Sequence, residues 1–311
     1  MRVRTGLSAL TRPPVRAVVT VGVFDGVHVA HQQLIRSTVR LAHRLGGTSM
    51  VITFDPDPCV VLSPATAPPA LMSVDARLRH LRALGVQQVI VIPFSRRFAR
   101  MSAERFIQRV LIGRLHAAVL IVGEAFMFGK DRLGNMQLLR AIGPACGMRV
   151  MPVKSICRGG RPVSSSRIRR LIQDGQLAAA RRLLGRPASL EGIVVRGAGR
   201  GRSLGFPTAN VRLRPLVLPP QGVYAVTMRI GPKDWRGVMN LGTRPTFGRG
   251  PVVCEVHLFD YAGTLRGRSV SIALISRLRG ERCFSTPVAL TRQVHRDVHR
   301  ARRILAHHSA S

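Results

Sequence analysis

The sequence predicts two folds in succession, a doubly wound α/β domain with a mostly parallel sheet and then a small antiparallel β-barrel. Three observations predict this. Apolar, β-branched runs alternate with helix-period segments as far as Leu184, as strand–helix–strand units do. Beyond Gly185-Arg186-Pro187, short strand patterns follow one another with turn residues between them and no room for crossover helices. A chain of 311 residues, 46% of them hydrophobic, is long and apolar enough for two cores. The boundary is expected near Leu184–Ser189, giving domains 1–185 and 186–311, with no internal repeat.

Ala17–Phe24 is an apolar run ending at Asp25-Gly26 and predicts a buried strand, with a helix over His31–Leu45. Met50–Phe54 is a second strand, ended by Asp55-Pro56. Helix spacing over Val74–Leu84 precedes a strand at Gln88–Pro93, and helix Ala103–Leu115 precedes a strand at Ala118–Val122. Met148–Val153 is the fifth strand; Ser165–Asp174 and Leu177–Leu184 are short helices. The barrel strands are expected at Leu190–Val195, Tyr224–Ile230, Val238–Leu241, Val252–Phe259 and Ser269–Ile275. Pro287–Leu305 reads as a closing helix, with Ala306–Ser311 as a frayed tail.

The formal net charge is +35, from 49 Lys+Arg residues of which only Lys130, Lys154 and Lys233 are lysines. Such a balance admits contact with RNA or DNA phosphates, or an arginine-rich composition that fills solvated positions. The basic residues are spread along the chain, without an RNA-binding aromatic signature or Cys/His finger spacing. A dedicated nucleic-acid partner is therefore not expected, and a basic RNA-binding protein stands as the alternative of another class. Cys59, Cys146, Cys157, Cys254 and Cys283 are odd in number and include no Cys-x-x-Cys, which argues for a reducing compartment. No secretory signal and no apolar run of membrane-spanning length is read, so the cytoplasm is the expected location and no membrane partner is expected.

The most informative stretch is Gly197-Ala-Gly-Arg-Gly-Arg-Ser-Leu-Gly-Phe-Pro-Thr-Ala-Asn210. Gly197, Gly199, Gly201 and Gly205 allow backbone N–H groups to approach an anion, and Arg200 and Arg202 add planar charged donors. Thr208 and Asn210 offer oxygen ligands for Mg²⁺. The spacing is not that of a Walker A loop, and an ordinary glycine-rich turn fits the composition as well. The stretch resembles the signature of riboflavin kinases, and residues from about 15 to 305 resemble the prokaryotic bifunctional riboflavin kinase/FAD synthetase family. The resemblance implies a Rossmann-like nucleotidylyl-transferase domain and a riboflavin kinase barrel. It also implies riboflavin, FMN and ATP as substrates, ATP serving as co-substrate with Mg²⁺, and no permanently bound cofactor.

In the N-terminal half, Gly22, Phe24, Asp25, Gly26, His28 and His31 stand between the first strand and its helix. Two histidines three residues apart at a helix N-terminus suit one anion, and equally suit a zinc pair or two satisfied turn histidines. Their segment is similar to the His-x-Gly-His motif of nucleotidylyl transferases, which implies electrostatic stabilisation of the triphosphate by His28 and His31. Ser164, Ser165 and Ser166, with Arg169, lead into a helix. The run suits a helix cap, and its likeness to the family's Ser-Ser-Thr-x-Ile-Arg implies a grip on the departing phosphates. Gly123–Gly134, with Phe126, Phe128 and Gly129, resembles the family loop near the adenine and the flavin. Three residues depart from the family pattern: Ala30 stands for a glycine, Asp57 for a histidine, and Ala125 for a polar residue. They imply slow FAD formation, and leave a riboflavin kinase with weakened or lost adenylyl transfer as the runner-up.

In the C-terminal half, Val253, Glu255 and His257 alternate with Cys254, Val256 and Leu258, so the two sets occupy opposite strand faces. A strand glutamate is commonly just solvated. Its place in Glu-Val-His-Leu-Phe-Asp matches the family's catalytic glutamate, which implies that Glu255 is a general base. Asn240-Leu-Gly-Thr-Arg-Pro-Thr-Phe247 resembles the family's Asn-x-Gly-x-x-Pro-Thr-Phe, and Arg279, Glu281 and Phe284 resemble its flavin-covering flap.

Overall fold

The computed structural model describes residues 1–11, 14–197, 205–243 and 252–307. They form two compact units, Met1–Pro68 with Val74–Ser164, and Pro69–Ser73 with Ser165–Ser311. Helices α7 (Ser165–Gln173) and α8 (Leu177–Leu184) thus go with the second unit, upstream of the change in sequence pattern.

The first unit is a six-stranded parallel sheet in the order β1 (Arg2–Thr5), β4 (Gln88–Ile92), β3 (Ser49–Phe54), β2 (Ala17–Val21), β5 (Ala117–Gly123), β6 (Arg149–Val153). β2 is buried at every residue, as its unbroken apolar run requires in a sheet covered on both faces. Helices α1 (Val29–Arg44), α2 (Pro58–Leu62), α3 (Val74–Ala83), α4 (Arg96–Ala99), α5 (Ala103–Arg105) and α6 (Met136–Ile142) belong to this unit, α5 running on into a π-helical stretch over Phe106–Ile112. Phe106, Ile107, Leu111 and Leu115 pack with Val19, Met50, Ile90 and Leu120 in one core. β1 was not expected. Its apolar Val3 alternates with Arg2 and Arg4, and it is held as an edge by backbone pairing to β4 and by Arg4 donating to Gln88 Oε1 (2.8 Å). A small hairpin, β7 (Cys157–Arg158) with β8 (Arg161–Pro162), follows β6.

The second unit is a closed barrel in the order β10 (Ala209–Leu213), β13 (Val252–Leu258), β12 (Lys233–Thr243), β11 (Gly222–Ile230), β14 (Ser269–Arg279), β9 (Ser189–Val195), all pairs antiparallel. β10, also unexpected, closes it. Only its Val211 is buried, so its sequence carries little strand signal, yet it pairs with β9 and β13 and leaves no open edge. Segment Pro69–Ser73 is clipped to this unit: Ser73 donates from its N–H (3.1 Å) and hydroxyl (2.6 Å) to the buried carboxylate of Glu191. Helix α9 (Pro287–Ala306) lays Ala301 and Leu305 on Val223, Val238, Phe259 and Leu278 of the outer barrel face.

Candidate active sites

In the parallel sheet the strand order reverses between β2 and β5, and ligands bind at the carboxyl ends of strands flanking such a point. The loops that leave those two ends carry Gly22–His28 and Gly123–Phe128. The first loop is tight. Phe24 (φ +54°) and Val27 (φ +37°) are both left-handed, which is rare for an aromatic and an outlier for a β-branched residue. Gly26 also has positive φ (+82°), and a side chain at Gly22 would press on the Phe24 ring. Phe24, Asp25 and His28 are almost fully buried.

His28 is the N-cap of α1, its Nδ1 accepting from the His31 N–H (3.3 Å), so the helix begins two residues before its expected start. With Nδ1 an acceptor, the neutral ring carries its proton on Nε2. The two imidazoles stack with centroids 3.5 Å apart, and Phe24 meets His31 edge-on. Burial first, then the proximity of His28 and the charge of Arg77, hold His31 well below the usual imidazole pKa, so it is neutral at pH 7. Neutral His31 and the Nε2–H of His28 make this a place where hydrogen-bond donors and a helix N-terminus meet.

Ala30 lies in the first turn of α1. Asp57 is occupied as the N-cap of α2, accepting from the Cys59 N–H (2.9 Å), which gives the aspartate a structural purpose. Ala125 is exposed. Phe128 is a core residue, packed on Phe106 and stacked on the partly buried Phe126. Ser165, Ser166 and Arg169 are on α7 in the second unit, directly after Ser164, and Arg169 Nε donates to Pro69 O (2.8 Å).

In the barrel, backbone register makes Asn210 and Asn240 the Cα partners of Glu255 on either side. Adjacent partners share a face, so one carboxylate stands between two amides on the outer face, while Cys254, Val256 and Leu258 are buried inside. Burial pushes the Cys254 thiol up to about 12. In the sequence Asn240 is only part of a motif; the register is what makes it a neighbour of Glu255. Glu281 lies against the neighbouring strand position, its carboxylate where a side chain at Gly242 would go. Asn210 likewise covers Gly197, leaving no room for a Cβ there.

His257, two residues along the same face, bonds through Nδ1 to Pro207 O (3.0 Å) and meets Phe206 edge-on; Phe206 in turn meets His295 of α9. That anchors the segment Gly205–Thr208 against the face carrying Glu255. Arg279 is engaged by the buried Asp297 of α9, Nη2 to Oδ2 at 2.8 Å, with Phe284 5.8 Å from its guanidinium. Gly199, Arg200, Gly201 and Arg202, and the motif residues Arg244–Phe247, lie outside the described residues. Among the described residues no three His, Cys, Asp or Glu side chains gather as metal ligands. The hard oxygens of Thr208 and Asn210 do suit Mg²⁺.

A family model described as FAD synthetase matches residues 11–167, and one described as riboflavin kinase matches residues 184–305. The chain is 38% identical over 299 residues to the bifunctional riboflavin kinase/FMN adenylyltransferase of Escherichia coli K12, covering 96% of each chain. It is 37% identical over 308 residues to that of Pseudomonas fluorescens, covering 98% of each. Among solved structures it is similar to one described as a macrolide-efflux protein from Streptococcus pneumoniae, with TM-score 0.86 and 29% identity over 96% of this chain and 97% of that one. No helix among the described residues is long and apolar enough to cross a membrane.

Proposed function

We propose a division of labour for this chain, which belongs to the bifunctional riboflavin kinase/FMN adenylyltransferase family. The chain is an enzyme of flavin cofactor synthesis that phosphorylates riboflavin to FMN with ATP and adenylylates FMN to FAD. Residues 1–185 serve the adenylyl transfer and 186–311 the kinase reaction, in the cytoplasm.

The observation that carries the kinase assignment is Glu255 flanked in register by Asn210 and Asn240. Glu255 takes the proton of the ribityl 5′-hydroxyl as that oxygen bonds to the γ-phosphorus of ATP and the bond to the β–γ bridging oxygen breaks. Thr208 and Asn210 would hold Mg²⁺, which when bound would neutralise phosphate charge. The glycine- and arginine-rich stretch Gly197–Gly205 receives the phosphates. Glu281 and Phe284 cover the flavin, and Arg279 sets the base of that flap through Asp297.

In adenylyl transfer an FMN phosphate oxygen attacks the α-phosphorus of ATP and pyrophosphate leaves. His28 and His31 stabilise the charge that develops, His28 donating from Nε2. Gly22, Phe24, Asp25 and Gly26 shape the nucleotide seat. Ser164, Ser165, Ser166 and Arg169 bind the departing phosphates, and Phe126 and Phe128 form the flavin side. Pure protein incubated with riboflavin, ATP and Mg²⁺, with the flavins then separated, tests both halves. FMN and FAD are expected; FMN alone would leave a riboflavin kinase without adenylyl transfer, and neither product would overturn the assignment.

A further inference from the structure

We propose that Arg77 and Thr53 are positioning residues for adenylyl transfer, acting through the strained loop that carries His28. The inference rests on the assignment of that loop to this reaction. Arg77, on α3, is 3% exposed, and Thr53, in β3, is fully buried. Arg77 Nη1 donates to Thr53 Oγ1 (3.0 Å) and to Phe54 O (3.0 Å), and Thr53 Oγ1 donates to Val23 O (2.9 Å). A buried relay thus runs from α3 through the end of β3 to the residue before Phe24.

Two features say that this relay does more than fill the core. The first is the loop it reaches. Left-handed conformations at Phe24 and Val27 persist only where the surroundings over-determine them. The Val23 carbonyl bond is one such determinant, with Gly22 N–H to Ile52 O (3.1 Å) and Gln32 Nε2 to Val27 O (2.9 Å) as others. The second is what the guanidinium lacks. Its Nε is buried and has no hydrogen-bond partner among the described residues. A guanidinium kept in the interior with an unmet donor is a poor stabilising device, since an apolar side chain of similar volume usually serves the core as well. Burial lowers the pKa of this guanidinium, and the charges of Asp25, Asp57 and Asp55 oppose that shift. Its charge in turn helps keep His31 neutral. Arg77 therefore sets both the course of the loop and the field within it, without touching substrate.

The test uses the full-length protein and two initial-rate assays, FMN plus ATP to FAD and riboflavin plus ATP to FMN, on Thr53→Val, Arg77→Met, Arg77→Lys and Thr53→Val/Arg77→Met. Thr53→Val and Arg77→Met are each expected to lower kcat for FAD formation about tenfold or more with less than a threefold change in KM, leaving FMN formation at the wild-type rate. The double variant is expected to be no slower than the slower single one, because both cut the same relay. Arg77→Lys should recover a large part of the rate. Wild-type FAD formation in Thr53→Val, a variant that leaves the cation in place, would overturn the proposal even if Arg77→Met failed to fold. So would multiplied losses in the double variant, or a lysine variant as impaired as the methionine one. His28→Ala separates this from the underlying assignment. If it abolishes FAD formation while the relay variants do not, only the relay proposal falls; if His28→Ala is harmless, both fall.

Discussion

In the barrel, Glu255 meets Asn210 on one side and Asn240 on the other because antiparallel register makes them Cα partners. In the parallel sheet, His28 and His31 are placed by a loop with two left-handed non-glycine residues, supported by buried hydrogen bonds from elements distant in sequence. The register-built site uses the backbone ladder that also holds the barrel together, so removing a functional side chain there leaves its neighbours in place. The loop-built site takes its geometry largely from buried side-chain contacts, such as those of Thr53 and Arg77. The first should therefore fail chemically without structural consequence, and the second should fail in either way.

The largest expected effect tests the register-built site. Glu255→Ala should slow FMN formation by about 10²–10⁴-fold, the range for loss of a general base, while far-UV circular dichroism and FAD formation from FMN stay unchanged. Near-wild-type kinase turnover would remove Glu255 from the reaction.

His28→Ala should slow FAD formation about 10²–10³-fold, the scale of one lost electrostatic stabiliser. Because His28 also caps α1, thermal unfolding of the first unit should shift by an amount matching about 1 kcal/mol. An unchanged unfolding profile would contradict the distinction between the two sites. Smaller still is the effect of restoring the family residues. Ala30→Gly, Asp57→His and Ala125→Asn together should raise FAD formation about tenfold, or ~1.4 kcal/mol of transition-state stabilisation, without altering FMN formation. Loss of the Asp57 cap should cost the first unit about 1 kcal/mol. A flat FAD rate would mean that loop geometry, and not these three side chains, limits the step.

The smallest effect is on stability against pH. His31 has a folded-state pKa below its unfolded value near 6.5. The unfolded chain therefore binds more protons in that interval, and the contribution of His31 to stability is lost as pH falls below about 6.5. His31→Gln should flatten this dependence in denaturant titrations between pH 7 and 5. An equal slope in wild type and variant would refute it.

The sequence by itself determined the fold class and, through its likeness to known enzymes, the two reactions. Unbroken apolar runs such as Ala17–Val21 must be covered on both faces, which forces a parallel sheet with helices. Alternation from Val253 to Leu258 separates a more exposed face, with Glu255 and His257, from a core face wherever the strand lies. Tertiary structure decided the rest, for identifiable reasons. β1 and β10 carry too few apolar residues to signal strands and form only because a neighbouring edge offers backbone partners. Asn240 becomes a neighbour of Glu255 through register, which depends on hydrogen bonding between strands and not on local pattern. Arg77 resembles any helix arginine in the sequence. Only packing buries it and points it at Thr53, and only then does one side chain on α3 acquire a hold on a loop fifty residues earlier in the chain.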